Sequence, residues 1–324
     1  MKAVRVHEYG GPEALVYEDA PEPEMAPGDV LVQMQVIGIN YSDTHYRRGS
    51  YPGATLPLIP GHEGGGVILE TSSGVTGFRA GERVVFSGQH RRGTYKEIMA
   101  VPAQDLVKPP SDLDLKLATA VLNQGRTAHY LTRDARPIAA GERVLIHAAA
   151  GGVGMQLVQM VKNAGGYVYA TVSSQEKADF VRELGADETI LYTDVDFEEE
   201  IKERTNGQGV QVVYDALGGD YLVKSMRCLA RRGHLVTYGQ TAGRPPPVEW
   251  PQRGLGSLYL SYHTGADYTD PGGEAQARAA DLFRWLKEGE LRVHVHKEFA
   301  LADAVQAHRE LENRETIGKL LLIP

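Results

Sequence analysis

Cysteine is almost missing from this chain. Its single thiol, Cys228 among 324 residues, excludes an internal disulfide and a cysteine-built structural zinc site, and it suits a reducing compartment. No apolar run reaches membrane-spanning length. The opening Met1-Lys2-Ala3-Val4-Arg5-Val6 alternates like a strand and lacks the apolar core of a signal peptide, so a soluble, cytoplasmic protein is expected. An excess of positive charge is absent too. With 34 Lys and Arg against 42 Asp and Glu, the net charge of −8 argues against a nucleic-acid or anionic-membrane partner. There is no internal repeat and no low-complexity tract.

What is present is enough for two domains, since 324 residues at 42% hydrophobic exceed what one core usually supports. Up to about Ser111 the texture is short strands (Ala3-Val6, Val30-Ile39, Gly66-Glu70, Arg83-Phe86, Tyr95-Val101) broken by Pro and Gly, as in an antiparallel, barrel-like domain. Leu115 to Thr132 reads as a connecting helix. From Arg143 to Tyr262 strands and helices alternate, with strands at Glu188-Tyr192, Val210-Asp215, His234-Gly239 and Ser257-Tyr262, which gives a parallel sheet covered on both faces. The tail reads as a helix at Glu274-Glu288, a strand near Val293-Glu298, a helix at Leu301-Glu312 and a strand at Lys319-Ile323. It is expected to return to the first domain and complete it.

The chemistry concentrates in one stretch. Val144-Leu145-Ile146 is a short buried strand, Ala149-Ala150-Gly151-Gly152-Val153-Gly154 a tight turn, and Met155 to Lys162 an amphipathic helix. This is G-x-G-x-x-G with Ala149 for the first glycine, in the strand-turn-helix context that gives the pattern meaning. Gly151 permits close approach of a pyrophosphate, Gly154 lets helix and strand pack, and the free amides of the helix start favour negative charge. A purely structural turn is the alternative. A second strand, Tyr167 to Val172, ends not in the Asp or Glu that holds a ribose diol but in Ser173-Ser174, with Lys177 beyond. Two hydroxyls and an ammonium accept a 2′-phosphate, so NADPH is favoured over NADH. Ser174 also reads as a helix N-cap with Lys177 solvated, and both readings can hold together.

Gly38-Ile39-Asn40-Tyr41-Ser42-Asp43, Pro60-Gly61-His62-Glu63-Gly64-Gly65-Gly66-Val67, Ala148 to Gly154, Val213-Tyr214-Asp215 and Gly318 to Pro324 together resemble the medium-chain dehydrogenase/reductase superfamily. Within it they are most similar to the zinc-independent NADPH:quinone oxidoreductases, the zeta-crystallin-like branch, along the whole chain and in matching order. The resemblance implies an α/β protein with a GroES-like, β-rich catalytic domain (1–121), a Rossmann doubly wound parallel sheet (122–266), a C-terminal segment completing the first domain (267–324) and a site in the cleft. Zinc-dependent relatives carry Cys where Asn40 stands, a His-Glu pair matching His62-Glu63, a further Cys late in the first domain and a cysteine-rich lobe. Only the His-Glu pair is here, and catalytic zinc needs three protein ligands, so no metal is expected. His62 itself reads as a hydrogen-bonded turn residue.

Hydride transfer without a Lewis acid suits acceptors that are already electron-poor, such as quinones or enones, with neutral donors meeting the charge on oxygen. By resemblance, Asn40 touches the nicotinamide ribose or the acceptor, Asp43 orients its neighbours, and Tyr51 donates to the acceptor oxygen or packs beside Pro52. Asn40, Ser42, Thr127, Ala150, Gly151, Gly152, Val153, Gly154, Ser173, Ser174, Lys177, Tyr192, Tyr238, Gly239, Gln240, Thr241 and Arg314 carry over as cofactor contacts. For Arg314 a surface salt bridge is the alternative. Cys228 reads as a small buried hydrophobe. The function implied is NADPH-dependent reduction of quinones. The alternatives are a zinc-independent enoyl or alkenal reductase and a non-catalytic NADPH-binding protein. The apolar, aromatic strand Ser257-Tyr262 reads as an exposed sheet edge, and a homodimer paired through it is expected, the alternative being a monomer in which the tail helix Glu274-Glu288 folds over that edge.

Overall fold

Alternation and punctuation shape the N-terminal part of the chain. In the computed structural model, which describes residues 1–51, 54–88, 92–248, 254, 256–268 and 273–324, β1 (Lys2–Val6) pairs antiparallel with β2 (Leu15–Asp19). The second strand of this pair was not legible from the chain. The long β3 (Asp29–Ile39) buries Val30, Val32 and Met34 on one face and is then buried continuously from Val36 to Ile39. Asn40 starts α1 (Tyr41–Arg47). The chain goes on through β4 (Glu63–Thr71), β5 (Arg83–Ser87), β6 (Ile98–Pro102) and the short β7 (Leu106–Val107) to α2 (Leu115–Tyr130). β3 is the hub, antiparallel to both β4 and β6.

Within α2 the chain passes from one unit to another: the first comprises Met1–Arg126, Thr269–Lys287 and Val293–Pro324, the second Thr127–Tyr268 and Glu288–Arg292. The second unit begins after a π-helical turn (Leu131–Ala135) with β8 (Arg143–Ile146), α3 (Gly152–Asn163), β9 (Tyr167–Val172), α4 (Gln175–Glu183), β10 (Glu188–Leu191), α5 (Phe197–Arg204), β11 (Val210–Asp215), α6 (Tyr221–Arg227), β12 (Leu229–Thr237) and β13 (Tyr259–Tyr262). Among the described residues its six strands are all parallel, in the order β10-β9-β8-β11-β12-β13. The order reverses direction between β8 and β11, the switch point where ligands sit in doubly wound folds. Near-continuous apolar strands such as β8 (Val144, Leu145 and Ile146 all fully buried) reflect helices on both faces.

The tail supplies α7 (Glu274–Glu288), β14 (Val295–Ala300), α8 (Ala304–Glu312) and β15 (Lys319–Ile323). β15 pairs antiparallel with β3 and parallel with β14, extending the first unit's sheet. One short piece of the tail, Glu288–Arg292, counts with the second unit, where the Gln159 side chain of α3 accepts from the Arg292 N–H (2.7 Å) and donates to its carbonyl (3.0 Å).

Candidate active site

Two groups of functional residues are built, one in each unit. In the first unit Asn40 is the N-cap of α1. The Asn40 N–H donates to Asp43 Oδ2 (2.9 Å) while the Asp43 N–H bonds the Asn40 carbonyl (3.0 Å), a reciprocal capping arrangement. The Asn40 amide is fully engaged. Its Nδ2 donates to Glu63 Oε2 (2.9 Å), and its Oδ1 accepts from Asn123 Nδ2 (2.9 Å) and Lys319 Nζ (3.1 Å). Glu63 takes the Asn123 N–H on its other oxygen (2.9 Å) and a short hydrogen bond from the Lys319 ammonium. Glu63 and Lys319 are both fully buried, and the ion pair, the buried Asn40 amide and half-buried Asn123 form one connected network. Gly38 makes room for it: a Cβ there would lie 2.2 Å from Glu63 Oε2 and 2.9 Å from Lys319 Cε.

Asp43 joins a second buried network. His62 Nδ1 donates to its Oδ1 (3.2 Å) and the Tyr95 hydroxyl to its Oδ2 (3.1 Å). Burial alone would raise the Asp43 carboxyl. The His62 hydrogen bond and charge and the Asn40 amide outweigh it and hold the group below its ordinary range. Behind Tyr95 lies His308, whose imidazole burial pushes down to about 3. Arg47 can only donate, so its contact with His308 Nδ1 (2.8 Å) assigns the proton to Nε2. That nitrogen then donates to Tyr95 (3.0 Å). The result is a directed chain, Arg47 to His308 to Tyr95 to Asp43, anchored by Glu312, which accepts from Arg47 at 2.6 Å. Tyr51 is 40% exposed and stacks on Tyr46 of α1 (centroids 4.8 Å apart). Pro52, its expected neighbour, lies outside the described residues. Ser42 is half-buried on the same helix.

The glycine turn of the second unit is shaped as its sequence requires. Ala148 has a positive φ of 50°, and Gly151 caps α3. A Cβ on Gly154 would lie 2.2 Å from the Ala148 carbonyl oxygen, so the close packing admits no side chain. Ala150, Gly151, Gly152 and Val153 thus present a helix start whose first amides have no intrahelical acceptor. Just behind it His147 is sealed: Ser225 already donates to the Tyr221 carbonyl, so its oxygen accepts from His147 Nε2 (2.9 Å), while Thr171 meets Nδ1 (2.9 Å). Burial pushes this imidazole down to about 3 as well.

The other cofactor candidates of this unit gather at the carboxyl ends of the parallel strands. Past β9, Ser174 caps α4 by accepting from the Lys177 N–H (3.3 Å), and the Lys177 ammonium donates to Ser173 Oγ (3.2 Å). Tyr192 sits just beyond β10 rather than within it, its N–H on the Val172 carbonyl (3.2 Å). Tyr238-Gly239-Gln240-Thr241 folds back onto Ala216 after β12, where Thr241 donates from backbone (3.1 Å) and side chain (3.2 Å). Asp215, at the end of β11, accepts the Leu217 and Gly218 amides on Oδ1 (2.8 and 3.2 Å). Its Oδ2 and the Tyr238 hydroxyl are sealed without a partner among the described residues. Burial raises the Asp215 carboxyl to about 6. Thr127 opens this unit within α2, whereas Arg314 lies in the first unit, exposed in the left-handed turn between α8 and β15. Cys228 is fully buried at the end of α6, its thiol raised to about 12 by burial.

Lys319, Asn123, Tyr95, His308, Arg47 and Glu312 were not legible as site residues because the groups they meet come from distant parts of the chain. One signal was available. Lys319 opens the apolar run Leu320-Leu321-Leu322, and a lysine entering a buried strand requires a buried partner.

Known proteins share this architecture. Residues 26–111 match the family described as alcohol dehydrogenase GroES-like domain, and residues 184–322 the one described as zinc-binding dehydrogenase. The chain is 39% identical to a quinone oxidoreductase of Pseudomonas aeruginosa, covering 100% of this chain and 99% of that protein. It is 38% identical to a 2-haloacrylate reductase of Burkholderia at the same coverage. The solved structure of Escherichia coli quinone oxidoreductase complexed with NADPH superposes with a TM-score of 0.96 at 34% identity, each chain covered completely.

One of these family descriptions implies zinc. Zinc takes three protein ligands and keeps an open position. Around Glu63 stand two neutral amides and an ammonium, and His62 turns Nδ1 to Asp43. Among the described residues no three His, Cys, Asp or Glu are grouped to hold a metal. These residues do not fit zinc. They do fit NADPH, since the Gly154 cradle, the helix start and the Ser173-Lys177 pair offer a pyrophosphate and a 2′-phosphate their usual partners.

Proposed function

The chain belongs to the quinone oxidoreductase family of the medium-chain dehydrogenase/reductase superfamily, and on that premise we propose that it uses NADPH to reduce quinones without a metal. The observation that carries the metal-free part is the Lys319-Glu63-Asn40 network. A buried cation of the protein's own already neutralises the one carboxylate of that network. NADPH, when bound, supplies a hydride from its nicotinamide ring. Gly151 to Gly154 would hold its pyrophosphate, and Ser173, Ser174 and Lys177 its 2′-phosphate. Ala150, Tyr192 and Tyr238 to Thr241 would line the rest of its site.

On the acceptor side the chain's own residues position rather than react. Both polar atoms of the Asn40 side chain are bonded within the protein, so Asn40 serves as a fixed strut at the start of α1. Asp43 locks His62, and Tyr51, 40% exposed beside Tyr46, would donate to an acceptor oxygen. An electron-poor acceptor needs no more than such neutral donors. A reducer of activated C=C bonds is the second reading, favoured by the likeness to the 2-haloacrylate reductase. Competing a quinone against an enone for NADPH oxidation tests the two. Preference for the enone, with the quinone inert, overturns the first.

We further infer a homodimer. β13 is the outer strand of its sheet, paired with β12 alone among the described residues, and Tyr259, Leu260 and Tyr262 are 59%, 44% and 65% exposed. An apolar edge of this kind is normally covered, and a second copy pairing across a two-fold axis would cover it.

A further inference from the structure

One charged side chain, Arg92, feels the Asp43 carboxylate at a distance but pairs directly with no acid among the described residues. The Arg92 guanidinium lies 3.7 Å from the centroid of the Tyr46 ring, and Tyr46 in turn stacks on Tyr51, the residue offered to the acceptor. Arg92 makes no hydrogen bond or ion pair with any described residue. Partial burial lowers its pKa, the price of removing a guanidinium from water. The side chain forms part of the wall of a cavity of about 460 Å³, together with Tyr46, Leu58, Ile59, Pro60 and Lys96. In a chain with eight more carboxylates than basic side chains, the described residues of this cavity's wall include two cations and no Asp or Glu.

We propose that this cavity binds the carboxylate of an anionic electron acceptor, Arg92 pairing with the carboxylate while the acceptor's apolar body lies against the Tyr46, Leu58 and Ile59 side. The guanidinium is a planar fork that matches a carboxylate with two parallel hydrogen bonds. Stacking on Tyr46 holds that plane without using its N–H donors. Guanidinium donors that meet no acceptor among the described residues are available to a ligand. The proposal deepens the reductase reading and rests on it for the word acceptor. The anion site itself rests on Arg92 alone.

The experiment has two arms, on wild type, Arg92→Met and Arg92→Lys. In the first, kcat/KM is measured for an α,β-unsaturated carboxylate and for its neutral amide. Wild type is expected to prefer the carboxylate by about tenfold or more, the size of a charge-assisted pair. Arg92→Met should lose that ratio, and Arg92→Lys should keep part of it. In the second, calorimetry follows binding of benzoate, which cannot be reduced. Wild type should bind it and Arg92→Met should not, with NADPH affinity and unfolding temperature equal in the two as the check on folding. If no acceptor is reduced but benzoate binds in an Arg92-dependent way, the reductase reading fails and the anion site stands. An unchanged carboxylate-to-amide ratio in Arg92→Met, or equal benzoate binding, overturns the proposal.

Discussion

The ammonium of Lys319 and the carboxylate of Glu63 form an ion pair with both side chains fully buried, joining the last strand of the chain to the start of β4. Removing one partner leaves the other charge in a low-dielectric interior, which costs about 3–5 kcal/mol. Lys319→Met is therefore expected to lower stability by that amount in denaturant unfolding. Adding Glu63→Gln to the Lys319→Met chain should recover part of the loss. A single variant as stable as wild type would show that the pair is not a structural tie.

Cofactor choice should follow Lys177. Its ammonium reaches Ser173 at the end of β9, where an acidic residue would exclude a 2′-phosphate. NADPH is expected to bind tighter than NADH, and Lys177→Ala to weaken NADPH by about 1.5–3 kcal/mol while leaving NADH almost unchanged. Titrating both nucleotides against both proteins checks this. Equal wild-type affinities would refute it.

Acid should destabilise the fold through two histidines. His147 and His308 are held near 3 by burial, against an ordinary value of 6.5. Between those values the unfolded chain binds a proton at each site that the folded chain does not. Stability therefore falls as pH drops through that window, by about 1.4 kcal/mol per pH unit for each histidine. Unfolding measured across this range with His147→Gln or His308→Gln should show a slope smaller by about one proton. An unaltered slope in both variants would contradict the assignment.

Self-association should depend on β13. Light scattering at micromolar concentration is expected to give twice the chain mass, and Leu260→Pro to weaken the association by removing a backbone donor and bending the edge. A wild type that stays monomeric over that range ends the dimer reading.

Local chemistry made much of this protein legible in its residues. The glycine turn, the Ser173-Ser174-Lys177 end of β9 and the alternation of strand and helix each lie within one short stretch, where the physical requirement and the sequence pattern coincide. The strand β2 was missed because Val16 and Tyr17 are exposed and leave no clean alternation. The partners of Asn40 and Asp43 were missed for a different reason. His308 and Lys319 reach α1 and Glu63 only after the tail has paired β15 with β3, a tertiary event with no local signature. Both polar atoms of the Asn40 side chain are bonded within the protein, to partners that β4, α2 and the tail supply.

The central claim is metal-free reduction of a quinone by NADPH. It is tested most directly by following the nicotinamide absorbance after exhaustive chelation, with elemental analysis of the same sample. NADPH oxidation that requires the quinone and continues undiminished in protein free of zinc is the predicted result. Stoichiometric zinc whose removal abolishes turnover, or NADPH bound but never oxidised in the presence of quinone, would contradict it.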